Sequence, residues 1–218
     1  MSNMPDYGQW DLVITHAAIM LVFILSFFRP RTKRDWRTFG VFSAFLFALF
    51  TEMYGFPLTI FLLSSWLSSK FPGIDWFSHD SGHLLQTLLG FRGDAHFSSL
   101  HMISNIFIIS GLVVLAVSWR PLHKAQKEND VADQGPYALV RHPQYAAFML
   151  IMVGYLIQWP TLPTLVMFPI LVWTYLRLAR REEKEALALF GEKYARYARK
   201  TPRFFPQLQV DPAPVDYM

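Results

Sequence analysis

The chain alternates between apolar runs and short polar stretches crowded with arginine and lysine. A hydrocarbon layer ~30 Å thick needs about 20 helical residues to cross it. Leu12 to Phe28 supplies one such run, and Phe39 to Leu67 a second. The second is interrupted by Glu52 and by Gly55-Phe56-Pro57, where a proline without an amide proton predicts a kink. His101 to Trp119 is the third. Tyr145 to Gln158 and Leu162 to Leu178 are separated only by Trp159-Pro160-Thr161, so the pattern makes them an antiparallel hairpin. The expected fold is therefore an all-α integral membrane protein of about five transmembrane helices, the last two a helical hairpin, followed by a cytoplasmic C-terminal amphipathic helix. Ser68 to Leu100 mixes polar residues and glycines with short aromatic or leucine clusters, and reads as a structured loop with an interfacial helix.

Composition supports the membrane reading: 53% of residues are hydrophobic, 17% aromatic, and the mean hydropathy is +0.24, above what a soluble domain of 218 residues carries. There is no cysteine, which excludes disulfides, zinc–thiolate sites and a cysteine nucleophile. No basic segment precedes the first apolar run and no A-x-A exit follows it, so it is expected to be a retained anchor and not a cleaved signal.

Charge sets the expected orientation. With five spans, 29–38, 120–141 and everything from Arg177 onward share one side and hold 5, 4 and 9 of the 20 basic residues, whereas the other side holds only Lys70 and Arg92. Cytoplasmic flanks are enriched in lysine and arginine, which puts the N-terminus outside and the C-terminus in the cytoplasm. The net charge of +4 is explained by this rule and by anionic lipid, and no nucleic-acid motif competes. Internal repeats, a P-loop and a GxGxxG turn are also missing from the sequence.

Candidate chemistry gathers at the lip of the fourth span, in GPYALVRHPQY from Gly135 to Tyr145. Pro143 holds His142 extended and suits the first helical position, so a helix begins there with its unpaired amides and positive dipole end facing the lip. Arg141 and His142 add positive charge, and Tyr137 and Tyr145 add aromatic faces able to hold a cation or a ring. An interfacial anchor is the simpler reading of such residues at a membrane border. The hairpin, however, brings Glu182 and Glu183 back to the same lip. An amphipathic helix with pairs such as Arg181 and Glu185 accounts for Lys184 and Glu185, but not for the Arg-His-Pro turn.

Together, GPYALVRHPQY, the short hairpin and RREEKEALALFGEKYARYARKTPRFFP resemble the isoprenylcysteine carboxyl methyltransferase family, within a wider group that includes phospholipid N-methyltransferases. The resemblance covers Gly135 to Pro206. Two positions depart from the family pattern: Ala147 stands where the family has glycine, which would narrow the backbone's approach to a ligand, and Ala186 where it has leucine. The resemblance implies a membrane-embedded methyltransferase using S-adenosylmethionine without a Rossmann domain, and a lipophilic or small-molecule methyl acceptor. Carried over by position, the cofactor contacts are His142, Pro143, Tyr145, Glu182 and Glu183, with Tyr137 beside them. Arg141 and Arg203 are candidates for holding an anionic acceptor. Glu52 joins them as a catalytic candidate, because an acid inside a span marks a functional site by default. Residues 135–206 then form the cofactor region, 1–134 an N-terminal membrane region on the acceptor side, and 207–218 a tail. Methyl transfer by in-line displacement needs positioning and exclusion of water, and no nucleophile from the protein.

A rival reading from another class rests on His79, His83, His96 and His101 in and beside the 68–100 loop, which could hold haem or a metal ion. Topology places that loop across the bilayer from His142. Histidines there are more often ordinary interfacial polar residues, and the sequence assigns no metal.

Overall fold

The computed structural model describes residues 7–28, 30, 33–91 and 94–206; residues 1–6, 29, 31–32, 92–93 and the tail 207–218 lie outside the described residues. The described chain is helical, with α1 at Trp10–Phe27, α2 at Lys33–Phe50, α3 at Leu58–Lys70, α4 at Leu84–Leu88, α5 at Ser99–Glu128, α6 at Pro136–Leu139, α7 at Pro143–Gln158, α8 at Leu162–Phe190 and α9 at Glu192–Lys200. Among the described residues, four segments are long and apolar enough to cross a membrane: Trp10–Phe27, Asp35–Gly55, Ser99–Glu128 and Leu162–Phe190. The 16-residue α7 is a shorter fifth, about 24 Å at 1.5 Å per residue.

The second apolar run does not continue through its kink as one span. It ends in a π-helical turn, Thr51–Gly55, after which Phe56 is extended and α3 starts afresh beyond Pro57. Glu52 explains how the break is held. Its buried carboxylate accepts hydrogen bonds from the Thr59 amide (3.0 Å) and the Thr59 hydroxyl (2.9 Å), and that hydroxyl in turn accepts from the Leu162 amide at 2.8 Å. The broken helix is thereby tied to the start of α8.

The same end of the bundle collects other connections. Gly8 and Gln9 donate their amides to Gly55 and Tyr54 at 2.8 and 2.9 Å, and His79 stacks on Tyr54 with ring centroids 5.6 Å apart. Because the chain leaves α2 and returns to His79 at one level, the 13-residue α3 does not add a crossing. Five passes therefore remain, formed by α1, α2 with its π turn, α5, α7 and α8.

The apolar pattern on these helices is that of lipid solvent. On α5, Ile106, Ile109, Val113 and Val117 are each at least half exposed, while Ser104, Ile108, Gly111, Leu115 and Ser118 are buried. Small residues turned inward let helices approach closely where no hydrophobic force drives association. A Cβ added to Gly111 would lie 2.8 Å from the Ala147 carbonyl oxygen, and one added to Gly154 would lie 2.9 Å from that of Ser104. The central layer of the core, Phe42, Phe45, Leu46 and Leu49 of α2 with Phe148, Ile151 and Met152 of α7, is almost fully buried.

At 30 and 29 residues, α5 and α8 are about 45 Å long and outrun the ~30 Å hydrocarbon layer. Their projecting ends carry polar residues. The α5 end turns at Asn129 in the left-handed conformation (φ 52°), and Gly191 (φ 53°) ends α8 and launches α9.

Candidate functional site

The projecting ends of α5 and α8, together with α6, α9 and the start of α7, enclose a cavity of about 550 Å³, within the range that holds small-molecule ligands. Its chemistry begins at the Arg-His-Pro turn. α7 starts at Pro143 with His142 as its N-cap residue, and among the described residues no side chain caps that first turn. The turn is fixed from outside by the last described segment, whose Pro202 and Arg203 carbonyls accept from the Arg141 and His142 amides at 2.9 and 3.1 Å.

The buried His142 ring lies between two carboxylates, with Nε2 at 3.1 Å from Glu183 Oε1 and Nδ1 at 3.4 Å from Glu182 Oε2. Burial works against its proton. The hydrogen bonds and charges of Glu182 and Glu183 outweigh that effect, so its pKa stands above the usual value. Glu183 is the hub of the charge network. It accepts from Arg203 Nε at 2.8 Å, pairs with the other Arg203 nitrogen and lies 3.1 Å from Arg141, which also donates to the Ala198 carbonyl at 2.8 Å. Glu182 accepts from the Tyr145 hydroxyl, and Tyr145 stacks between His142 (5.7 Å) and Tyr175 (5.3 Å). The Tyr197 hydroxyl donates to the Tyr137 carbonyl at 2.7 Å, closing α9 over α6.

Of the residues singled out in the sequence, Tyr137, Arg141, His142, Tyr145 and Glu182 line the cavity. Glu183 stands behind it, holding both arginines, and Arg203 reaches the cavity only through Glu183. Pro143 is buried at the first position of α7 and sets the helix start. Glu52 is not brought to this site, since its carboxylate is engaged with Thr59 at the opposite end of the bundle. Ala147 does not narrow a ligand's approach either. It is fully buried against Gly111 of α5, a helix–helix contact away from the cavity, whereas Ala186 does line it.

Sequence reading missed the wall made by Leu122 to Ala132 and the contributions of Asp35, Tyr194 and Tyr197. A readable signal existed for the first: an Asn-Asp pair at 129–130, which caps a helix running past the membrane and anchors Lys193 of α9 to Asp130.

Phe97 to Lys193 match the family model for phospholipid methyltransferases. The match covers under half of the chain. The matched segment begins well before Gly135 and includes α5, which packs along α7 and supplies one wall of the cavity. Among similar proteins, a cobalt-zinc-cadmium resistance protein of Cupriavidus metallidurans is 34% identical over 94 residues, which is 42% of this chain and 43% of that protein. A protein-S-isoprenylcysteine O-methyltransferase of Schizosaccharomyces pombe is 27% identical over 84 residues, 38% of this chain and 36% of that protein. The chain thus spans under half the length of these curated relatives. No solved structure matches it.

A second polar cluster lies at the other end. His79, His83 and His96 each offer a ring nitrogen, all within 4.8 Å of one another, and the His101 ring lies 5.6 Å from His83 and 5.4 Å from His96. Both His79 and His83 pack on Trp159, in the link between α7 and α8, at 4.8 and 4.7 Å.

Proposed function

We propose that the chain is a membrane-embedded methyltransferase that uses S-adenosylmethionine and acts on an apolar or membrane-borne acceptor. The observation that carries this reading is the cavity where the Arg-His-Pro turn and Glu182 converge, inside a segment that matches the phospholipid methyltransferase family model. The name of the isoprenylcysteine O-methyltransferase relative also favours an acceptor with a lipid-like tail.

The lining fits the cofactor's mixed chemistry. Glu182 offers a partly exposed carboxylate, Tyr137, Tyr145, Tyr194 and Phe190 offer aromatic faces, and Leu122, Ala125 and Leu189 offer apolar walls. The Nε of Arg141 is buried with no hydrogen-bond partner among the described residues, leaving a donor at the rim. When bound, S-adenosylmethionine supplies an electrophilic methyl group on a sulfonium. Glu182 and the tyrosine faces would hold positive charge and amine or hydroxyl donors, and the α7 start with Arg141 would hold a carboxylate. Pro143, Glu183 and Arg203 position those groups. His142, lying between two carboxylates, holds Glu182 in the cavity wall.

The acceptor would enter from the bilayer side, its reactive head at the lip and its tail among apolar side chains such as those of 45–50 and 106–114. The basic residues at this lip would place it, and the C-terminus, in the cytoplasm, with the N-terminus outside. Incubating the purified protein with S-adenosylmethionine labelled in its methyl group and with membrane extract tests the reading. Label should appear in the lipid-extractable fraction. Transfer confined to small hydrophilic thiols, or no transfer to any fraction, would overturn it.

A further inference from the structure

The histidines at the opposite end are not used by the methyltransferase reading, and their arrangement is more organised than a chance surface cluster. His83 is buried, with Nδ1 3.0 Å from the Gln158 carbonyl oxygen. A carbonyl can only accept, so Nδ1 carries the proton and Nε2 carries the lone pair. That Nε2 is buried and has no hydrogen-bond partner among the described residues. His96 is arranged in the same way from another element: its Nδ1 lies 3.1 Å from Asp94 Oδ1, which leaves its Nε2 as the free lone pair. Metal-binding imidazoles characteristically donate their second nitrogen to a carbonyl or a carboxylate, which fixes the tautomer and raises the basicity of the ligating nitrogen. Here one histidine has each kind of partner.

The backbone is also shaped to bring these rings together. Gly82 lies under Trp159 so closely that an added Cβ would sit 2.0 Å from the indole, so only glycine lets His83 dock against the link between α7 and α8. His79, four residues earlier, stacks parallel to His96 at 6.2 Å. His101, in the first turns of α5, stands beside the cluster with its Nε2 3.5 Å from the Gln158 side-chain nitrogen.

We propose that His79, His83 and His96 form a binding site for a divalent transition-metal ion of the zinc class, with water as the fourth ligand. Three neutral imidazoles with no thiolate suit zinc, cobalt, nickel or copper, and not calcium or magnesium, which take oxygen ligands. Closing three nitrogens from within 4.8 Å of one another onto bonds of about 2.0–2.1 Å requires side-chain movement of the order of an ångström, which the partly exposed His79 and His96 can make. The bound ion would tie His79 and His83 to His96 beside the α7–α8 link, on which His79 and His83 already pack.

The test uses the full-length protein in detergent, stripped with chelator and titrated with Zn²⁺, and separately with Co²⁺ as a visible-absorbing stand-in. One ion should bind per chain, with a rise in Tm and, for Co²⁺, the intense visible bands of a four-coordinate site. Asp94→Asn, which leaves all the ligands in place, should weaken binding by about 10- to 100-fold. His96→Ala, at a half-exposed position, should weaken it further without unfolding the protein. His123→Ala, outside the cluster, should change nothing. Failure of the wild type to bind either ion would overturn the proposal. So would binding unaltered in His96→Ala and Asp94→Asn, or purification with haem in place of a simple ion.

Discussion

His142 and His83 are both buried imidazoles, 8% and 3% exposed, at opposite ends of one helical bundle. Their surroundings push them in opposite directions. His142 loses some basicity to burial and regains more from Glu182 and Glu183, so it holds its proton above the usual pH. His83 has no carboxylate beside it. Burial, opposed by the Gln158 carbonyl and reinforced by three neighbouring imidazoles, lowers its pKa to about 4, so it stays neutral with a lone pair available. One residue type is thus made more basic in a charge network at one end and less basic at the other. A histidine's function here is set by what the fold places around it.

The sharpest way to break this contrast is at the hub of the charged end. Glu183→Ala leaves Arg141, 13% exposed, and Arg203 facing His142 with no shared carboxylate. Removing one partner of such a network should cost about 3 kcal/mol of stability, read from unfolding in detergent, and should abolish S-adenosylmethionine binding. Unchanged stability with unchanged binding would mean that Glu183 organises nothing. Next in size is Gly111→Val, at the α5–α7 contact between the two ends. Its side chain would collide with Ile151 and the Ala147 carbonyl, so a loss of about 1–3 kcal/mol and weakened function at both ends are expected. If only one end suffers, the ends are mechanically independent.

A smaller effect separates the ends chemically. Glu52→Gln weakens the bonds to Thr59 and should cost about 1 kcal/mol, with ligand binding at the lip unaltered. Loss of methyl transfer at intact stability would instead make Glu52 part of the chemistry. The smallest effect is one of pH. Because His142 is more basic in the folded state, its contribution is fully present below its unfolded pKa of about 6.5 and is lost as pH rises through its higher folded value. Unfolding measured from pH 6 to 9 should show the wild type losing stability in that window and His142→Gln losing less. Identical profiles would place the titration elsewhere.

The fold was legible in the sequence wherever one helix carried its own signal. Five apolar runs gave five passes, and the Trp159-Pro160-Thr161 link forced the hairpin that unites His142 with Glu182. The break at Pro57 was visible as a kink, but not as the end of a span, because that depended on Glu52 reaching Thr59 and on Thr59 reaching Leu162, a contact 103 residues away in the chain. At the charged lip, closely spaced motifs exposed Tyr137, Arg141, His142, Tyr145 and Glu182. The wall from Leu122 to Ala132 was missed because α5 was expected to stop at the membrane surface near Trp119, and its extension beyond the bilayer is polar and unremarkable in composition. The expectation that Ala147 narrows a ligand's approach came from its place in the motif, whereas its place on the helix puts it at the contact with Gly111, away from the cavity lining.

The central claim, that the Arg-His-Pro lip and Glu182 hold S-adenosylmethionine, is tested most directly by calorimetric titration of the purified protein with S-adenosylhomocysteine, which binds such a site without reacting. The account predicts saturable binding at one site per chain, weakened at least tenfold by Glu182→Gln and unaltered by His96→Ala. Absence of binding to the wild type, or binding that survives Glu182→Gln and is lost with His96→Ala, would contradict it.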